Sequence, residues 1–430
     1  MTPGLIFLVQ ALVVVALPVV LLRFSGLKGL IPLVVIQILV GIALGPSLFG
    51  RIAPELFQMF FNKGALSPLS GIASIAILSF GLITGLHLNP SLFRGGVRAL
   101  VSVAAASVIV PTALGCLAGL WIAGCYPEEV GMHTGRAEFA AAVGICTGVT
   151  ALPVLGAILR EMDLLGRRIG HLALGIAGIN DAALWIILGL LLTTVAGQAP
   201  DGPGVLISLF ILPLYLVVMV RVVRPLLARL VRPRMVEGEV RERALAIVCA
   251  VTIASALITQ ALGLHYILGS FMAGAIMPDE LRKPILDRLQ VVAVGLLMPF
   301  FFMLTGLRTL IDPASPAFLE IFLLTTTVAV LGKLAGTAVA ARLGGEPWPV
   351  ALGLGALLQT KGLMEVIVLT ILLDAGIISG SVFSALILMA VVSTALAMPL
   401  TRLMLAQGSR RRQVSSNGSG LPRSARGDVT

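Results

Sequence analysis

The stretch that decides the fold of this chain lies between residues 146 and 153 and reads Cys146-Thr147-Gly148-Val149-Thr150-Ala151-Leu152-Pro153. It interrupts a long apolar run with residues that disfavour a continuous helix, because glycine is conformationally free and proline lacks a backbone donor. The next apolar run contains Gly178-Ile179-Asn180-Asp181. A charge at the centre of a bilayer costs roughly 2.5–3.5 kcal/mol on insertion scales, so an acid at this depth indicates a functional site. A broken helix beside such an acid is typical of an ion-transport site.

The composition places the chain among membrane proteins. Of 430 residues, 58% are hydrophobic and 12% are charged, and the mean hydropathy is +1.06. Soluble domains carry about 25% charged residues. The apolar residues fall in long runs, so we predict an all-α polytopic membrane protein. These runs exclude a soluble enzyme, and we expect a transporter that needs no cofactor.

The runs predict about thirteen transmembrane helices. They cover residues 4–22, 29–49, 68–86, 99–124, 138–160, 168–195, 204–222, 243–262, 265–277, 289–307, 316–341, 348–373 and 381–404. The ninth is short, which indicates a re-entrant or broken helix. Residues 406–430 are rich in Ser, Gly and Arg and predict a disordered tail.

The basic residues predict the orientation of the chain. With the N-terminus outside, 24 of the 30 Lys and Arg residues fall in inner segments and 4 in outer loops. Inner loops of membrane proteins carry the excess of basic residues, so we predict an outside N-terminus and a cytoplasmic C-terminus in the plasma or inner membrane. The net charge of +10 follows from these loops, and we expect contact with the lipid bilayer and no nucleic acid.

Matching motifs indicate that the transmembrane domain, residues 1–405, is duplicated. Thr84-Gly85-Leu86 closes the third span, and Thr305-Gly306-Leu307 closes the tenth. Gly41, Gly45 and Pro46 end the second span, whereas Gly269, Gly274 and Pro278 mark the ninth. The break near Thr150 matches Gln359-Thr360-Lys361-Gly362 in the twelfth. Each pair is seven spans apart, and an odd offset reverses direction. We therefore predict inverted repeats over about 4–195 and 243–404, joined by a linker helix over 204–222.

Four ionisable residues lie well inside spans: Asp181, Lys333, Lys361 and Glu365. Two acids and two bases compensate one another's charge, which lowers the cost of burial. Lys361 and Glu365 are four residues apart and share a helix face, so we interpret them as an ion pair that neutralises the second break. Asp181 lies beside the first break, and we predict that it binds a proton or a monovalent cation in turn. Its expected additional ligands are Thr147, Thr150, Asn180 and backbone carbonyls that the break leaves free.

These motifs resemble the monovalent cation:proton antiporter superfamily, in its branch of bacterial sodium/proton and potassium/proton antiporters and plant cation/proton exchangers. The similarity runs over nearly all of residues 4–404. It includes residues 40–47, 150–155, 299–307 and 359–365 together with Asn180-Asp181. The resemblance implies two crossed broken helices, a mobile core, elevator-like alternating access and a homodimer. It also implies that Asp181 is the ion-binding acid and that Lys333 matches the core lysine of the family.

The chain departs from many electrogenic relatives in one position. Those proteins carry two adjacent acids where this chain has Asn180-Asp181. The resemblance therefore favours exchange of one cation for one proton, although Lys333 resembles the lysine that electrogenic relatives carry at this position. Neither sodium nor potassium is favoured by the sequence. Two alternatives remain open: a sodium-coupled solute symporter of similar fold, and a channel-like or sensor subunit that does not exchange ions.

Overall fold

The structure is a computed structural model that describes residues 2–24, 33–87, 97–132, 134–165, 167–196, 213–231, 235–236, 239–240, 242–262, 266–311 and 315–418. In the N-terminal half, helices α1 to α9 span Pro3–Phe24, Leu33–Leu44, Phe49–Ile52, Pro54–Phe61, Lys63–His87, Val97–Cys125, Arg136–Gly148, Leu152–Glu161 and Arg168–Ala196.

In the C-terminal half, helices α10 to α18 span Arg224–Val231, Glu242–Ala261, Tyr266–Ala275, Asp279–Val292, Met298–Arg308, Pro316–Leu343, Trp348–Leu357, Leu363–Asp374 and Gly380–Gly418. A short antiparallel hairpin, β1 (Met235–Val236) and β2 (Glu239–Val240), precedes α11. Two π-helical turns, Met219–Val223 and Ala293–Leu297, lead into α10 and α14.

Nine helices of the described residues are long and apolar enough to cross a membrane. They match nine of the predicted spans. The fifth and twelfth predicted spans are each broken into two helices, and the ninth is the short helix α12. The seventh predicted span, 204–222, is helical where the structure describes it, over 213–222, and residues 204–212 lie outside the described part. Residues 29–32 of the second span also lie outside it. The count of thirteen stays a prediction.

The C-terminal helix is longer than the sequence predicts. Helix α18 runs from Gly380 to Gly418 and therefore covers residues 406–418, where we expected a disordered tail. The helical conformation there continues from the buried part of α18, since a helix propagates readily once it is nucleated, and the disordered tail stays a prediction. The rest of the predicted tail, residues 419–430, lies outside the described residues.

The long helices pack into two groups. The scaffold group consists of α1, α2, α5 and α11–α14, and the core group consists of α6–α9 and α15–α18. Contacts are dense within each group, as between α5 and α12 or between α6 and α15, and they are much fewer between groups. Contacts between the groups include α14 against α17 and α2 against α18. A sparse interface of this kind permits one group to slide on the other.

The helix contacts occur in matched pairs, as the predicted inverted repeat requires. The packing of α2 on α14 has its counterpart in the packing of α12 on α5. Likewise, α6 packs on α7 as α15 packs on α16, and α6 packs on α9 as α15 packs on α18. If each span is replaced by the span seven positions away in the chain, each of these contacts becomes its counterpart in the other half. The fold therefore has two crossed broken helices related by an internal two-fold, as predicted.

The core group is tied together on the face where α6 ends and α15 begins. The Tyr126 hydroxyl donates to the Glu320 carboxylate at 2.6 Å. This hydrogen bond raises the pKa of Tyr126 to about 12, because the negative carboxylate disfavours the phenolate. The backbone N–H of Gly131 donates to the Ile377 carbonyl at 3.1 Å. These contacts join both halves of the core group at one face of the protein.

The glycines that mark the repeat are points of close helix approach. A Cβ added at Gly85 of α5 would lie 2.1 Å from the Phe271 carbonyl oxygen of α12. One added at Gly306 of α14 would lie 2.4 Å from the Ile38 carbonyl oxygen of α2 and 2.6 Å from the Cα of Gly41. Small residues of this kind let backbones meet inside a membrane. Close packing thus explains why the same residues recur in both halves.

We expect Gly85→Ala to destabilise the protein by about 1–3 kcal/mol, because the new methyl group overlaps backbone atoms that cannot move aside. Gly71 lies in the same helix, and a Cβ added there would have no atom of a described residue within 4 Å. Gly71→Ala is therefore the matched control, and it should stabilise by about 0.5–1 kcal/mol through backbone entropy. Thermal unfolding in detergent measures both variants, and equal melting temperatures would contradict the packing explanation.

Candidate functional site

The first break separates α7 from α8 inside the membrane. Helix α7 ends at Gly148, and Val149 and Ala151 adopt extended conformations before α8 begins at Leu152. Pro153 occupies the second position of α8, where its missing N–H costs no intrahelical hydrogen bond. The extended residues leave the last carbonyls of α7 and the first N–H groups of α8 without helical partners. The two half-helices therefore present opposite dipole ends to the middle of the protein.

The second break separates α16 from α17. Helix α16 ends at Leu357 and α17 begins at Leu363. Gly362 has φ +56° and ψ −123°, a backbone conformation that favours glycine. A Cβ at this position would also lie 2.9 Å from Cγ2 of Val154 in α8. Glycine is thus required both by the turn and by the crossing helix.

The two breaks cross and bond to each other. The backbone N–H of Ala151 donates to the Thr360 carbonyl at 2.7 Å. The Thr150 hydroxyl donates to the Leu358 carbonyl at 2.8 Å. A backbone N–H group and a threonine hydroxyl of the first break therefore bond to carbonyl groups that the second break leaves without helical partners. Unpaired backbone groups are costly in a membrane, so this exchange stabilises both interruptions.

Two buried lysines cap the C-terminal end of α7. The Lys361 ammonium donates to the Cys146 carbonyl at 2.5 Å and to the Thr147 carbonyl at 3.0 Å. The Lys333 ammonium donates to the Gly148 carbonyl. The positive charges complement the negative end of the helix dipole. These carbonyls, which we expected to be available to a cation, accept hydrogen bonds from the two lysines in this structure, and their role as cation ligands stays a prediction.

Asp181 is the buried acid of α9. Its side chain is 1% exposed, and neither carboxylate oxygen has a hydrogen-bond partner among the described residues. The N–H of Leu152 at the start of α8 and the charge of Lys333 act electrostatically on the carboxylate. The acid thus faces the positive end of a half-helix without being fully satisfied by protein groups. A carboxylate in this position is costly unless an ion neutralises it.

Glu365 is the second buried acid, and it lies in the first turn of α17. Its oxygens are 3.6 Å from the Lys361 nitrogen at the closest, and neither makes a hydrogen bond with a described residue. The predicted juxtaposition of Lys361 and Glu365 is therefore present. Lys361 also reaches α7, so this residue links the two broken helices as well as compensating an acid.

The other three predicted ligands hold helices together through their side chains. The Thr147 hydroxyl lies 2.9 Å from the carbonyl oxygens of Pro111 and Gly144. The Asn180 amide is best satisfied with its oxygen accepting from the Ser107 hydroxyl at 2.9 Å and its nitrogen donating to backbone carbonyls. Asn180 thereby joins α9 to α6. Each threonine hydroxyl donates its proton to a carbonyl and retains lone pairs on its oxygen.

Sequence reasoning missed two polar residues of this region. Ser107 of α6 is the partner of Asn180, and Thr394 of α18 accepts from the backbone N–H of Lys361 at 3.0 Å. Both are buried in long apolar helices. Isolated Ser and Thr residues are common in transmembrane helices, so no sequence signal distinguishes these two.

The chemistry available at the site is that of one or two carboxylates in a buried environment. No group of three or more His, Cys, Asp or Glu side chains that could hold a metal ion occurs among the residues the structure describes. The site contains two acids, Asp181 and Glu365, and two bases, Lys333 and Lys361, whose charges balance when all four are ionised. The arrangement suits reversible binding of a singly charged ion, because one such ion neutralises one acid.

A family model described as sodium/hydrogen exchanger, transmembrane, matches residues 12–406 of the chain. The chain is 32% identical over 383 residues to the Cation/H(+) antiporter 19 of Arabidopsis thaliana, covering 87% of this chain and 46% of that protein. It is 28% identical over 403 residues to the Na(+)/H(+) antiporter NhaS4 of Synechocystis, covering 90% and 96%. It is 28% identical over 419 residues to the K(+)/H(+) antiporter 1 of Saccharomyces cerevisiae, covering 95% and 47%.

The chain thus spans about half the length of the plant and yeast proteins that it matches. Among solved structures, the sodium proton antiporter MjNhaP1 of Methanocaldococcus jannaschii has a similar fold. The TM-score is 0.58 at 13% identity, and the match covers 94% of this chain and 99% of that one.

Proposed function

Because the chain belongs to the sodium/hydrogen exchanger family, we propose that it exchanges a monovalent cation for protons across a membrane by alternating access. The observation that carries this proposal is Asp181, a buried acid without a hydrogen-bond partner among the described residues, beside two crossed broken helices. A proton or a cation relieves the cost of this charge. One acid that takes either ion, and opens to one side at a time, exchanges the two.

In this proposal, Asp181 is the shared proton and cation ligand, and Asn180, Thr147 and Thr150 shape its surroundings. The two threonine oxygens retain lone pairs that can replace water around a dehydrated cation. Lys333 and Lys361 keep the end of α7 neutral while the ion at Asp181 changes. In this proposal, Asp181 and the threonine oxygens contact the ion, and the two lysines hold the broken helices.

Alternating access is supported by the two helix groups. The core group contains both breaks and Asp181, and its contacts with the scaffold group are sparse. A core that slides as a unit carries the neutralised acid from one face to the other. We propose that the scaffold group forms the interface of a homodimer and stays in place in the lipid bilayer.

The protein is a multi-pass membrane protein, and we propose that it lies in the cell membrane with its N-terminus outside and its C-terminus in the cytoplasm. The support is the distribution of basic residues, 24 in the inner segments against 4 in the outer loops. On this orientation, the face that carries Tyr126 is external.

The test is a proteoliposome assay with an internal pH dye and successive pulses of sodium, potassium and lithium. We expect that sodium, potassium or both will enter the liposomes while protons leave. The size of the response to each pulse identifies the preferred cation. Absence of any cation-driven proton movement by folded, reconstituted protein would overturn the proposal. A sodium-coupled symporter would instead need a solute and would leave the dye unchanged.

We expect the exchange to be electroneutral, because Asp181 is the one acid of the Asn180–Asp181 pair and it holds either a proton or a cation. Lys333 donates to a backbone carbonyl rather than forming an ion pair with Asp181. Cation binding therefore need not displace a proton from the lysine. A membrane potential of about 100 mV changes the free energy of moving one net charge across the membrane by about 2.3 kcal/mol. The exchange rate of an electrogenic cycle would therefore depend clearly on the potential.

The measurement is the initial rate of sodium exchange with and without a potassium–valinomycin potential. Equal rates and equal endpoints are expected. A clear dependence on the potential would contradict electroneutrality and would assign Lys333 a proton of its own. In that event, Lys333→Gln should remove the dependence.

A further inference from the structure

A cavity of about 110 Å³ lies between the scaffold group and the core group, at one face of the protein. It is bounded by the beginning of α5 and α12 and by the end of α14 and α17. Its size admits several water molecules. On the proposed orientation it opens to the outside. The cavity is separate from Asp181, which does not line it.

Five hydroxyl groups line the cavity, and one of them belongs to Tyr266, which hydrogen-bonds with Ser74. The other four share one hydrogen-bond arrangement and belong to Ser70, Ser74, Thr305 and Thr370. Each donates its proton to the carbonyl four residues earlier in its own helix, at 3.0, 3.0, 3.0 and 2.8 Å. Because the protons are engaged, these groups offer oxygen lone pairs to whatever fills the cavity. These acceptor oxygens suit a cation and its water shell.

Two opposite charges face the same cavity from different helix groups. Asp374 ends α17 of the core group, and Arg308 ends α14 of the scaffold group. Both are exposed, and the Arg308 charge acts on Asp374. Within the described part of the chain, no direct ion pair joins them. Asp374 therefore remains available to a cation, while Arg308 opposes one.

The inner end of the cavity is apolar. Ala73, Ile77, Phe301 and Leu304 form its buried lining. These four side chains separate the polar part of the cavity from the interior of the protein. Helix α17 continues past them to Glu365, nine residues before Asp374, which corresponds to about 13.5 Å along a helix. The polar part of the cavity thus lies between the broken helices and the face of the protein to which the cavity opens.

We propose that this cavity is a cation-collecting vestibule, in which Asp374 and the hydroxyl oxygens hold a hydrated monovalent cation and Arg308 limits its affinity. The inference rests on the proposed exchange activity and adds a second, weaker ion site to it. Asp374 and Arg308 belong to different helix groups, so sliding of the core separates them. The vestibule therefore serves one face of the membrane and one conformation of the cycle.

The test compares the KM for sodium and potassium in right-side-out and everted vesicles for two variants. We expect Arg308→Gln to lower the KM and Asp374→Asn to raise it, each by about two- to ten-fold, as a partly solvated charge at this range would. The maximal rate should stay within about two-fold of the unmodified protein. The shifts should occur on one face only, and on the proposed orientation in right-side-out vesicles.

Two control variants separate the cavity from the general surface charge. Arg51 and Glu128 are exposed on the same face and do not line the cavity. Arg51→Gln and Glu128→Gln make the same changes of charge, and they should leave the KM unchanged. Matching shifts in these controls, shifts of the same sign in both cavity variants, or shifts on both faces would overturn the vestibule. Replacing chloride by gluconate should not alter the effect of Arg308→Gln, and loss of the effect would assign the cavity to an anion.

Binding of radioactive sodium to the purified full chain in detergent gives a readout independent of exchange. Asp374→Asn should weaken this binding and Arg308→Gln should strengthen it, by the same factors. If the unmodified protein exchanges ions and neither KM nor binding responds to the variants, the vestibule is wrong and the exchange stands. If binding responds and no exchange occurs, the proposed function is wrong and the cation site stands.

Discussion

Asp181→Asn is expected to reduce cation-driven proton movement to the level of protein-free liposomes. The amide keeps the size of the side chain and cannot release a proton or neutralise a cation. Asp181 is 1% exposed, and its oxygens have no hydrogen-bond partner among the described residues. Removing such a charge should leave the melting temperature unchanged or raise it, because no ion pair is broken. The measurement is the pH-dye assay with sodium, potassium and lithium pulses, beside thermal unfolding in detergent.

The matched control is Asp163→Asn. Asp163 is exposed at the end of α8 and has φ 53°, a left-handed conformation that asparagine tolerates. The same chemical change there should leave exchange at the rate of the unmodified protein. Robust exchange by Asp181→Asn would show that another group carries the proton. Glu365 is then the first residue to test, since it is the other buried acid whose oxygens lack a hydrogen bond to a described residue.

Removing Lys361 or Glu365 alone is expected to destabilise the protein by about 3–5 kcal/mol, because each leaves an uncompensated charge in the interior. The two are 3.6 Å apart, with side chains 3% and 0% exposed. The double variant Lys361→Met, Glu365→Gln should lose less than the sum of the single variants. Lys361→Met should be the more damaging single change, because it also removes the donor to the Cys146 and Thr147 carbonyls.

A double-mutant cycle on thermal or denaturant unfolding measures this coupling. The control cycle uses Arg168 and Glu346, whose nitrogen and oxygen are only 2.6 Å apart, while the Arg168 side chain is 81% exposed. That pair should contribute about 0–1 kcal/mol, since solvent screens exposed charges. Purely additive losses for Lys361 and Glu365 would contradict the ion-pair interpretation. A control pair as strongly coupled as the buried pair would show that distance, and not burial, sets the energy.

Much of the fold could be predicted from local features of the sequence. Continuous apolar runs predicted about thirteen spans, and nine of them are long apolar helices in the described part of the chain. Glycine and proline predicted the break at 149–151, and the Gln359–Gly362 stretch predicted the second. The recurring Gly85 and Gly306 marked the close helix contacts of both halves. Helix ends were predicted less well, since α18 continues over residues 406–418, beyond the predicted end of its span at residue 404.

The site was predicted less completely than the fold. The sequence singled out Asp181, Lys333, Lys361 and Glu365 because ionisable residues inside apolar runs are rare. It did not reveal that Lys333 donates to Gly148, a contact between residues 185 positions apart. The carbonyls that we expected to be free for a cation are therefore capped. The threonine hydroxyls likewise bond to carbonyls of other segments, such as Leu358.

Inspection of the residues was enough to infer the class of the protein, the positions of both breaks and the identity of the buried charges. Each of these depends on local properties: the hydrophobicity of a run, the backbone freedom of glycine and the missing donor of proline. The packed fold was needed to show which polar groups satisfy one another and where Arg308 and Asp374 meet a cavity. A buried polar group must find a partner in whichever segment crosses nearby, and that crossing is set by the packing of the whole chain.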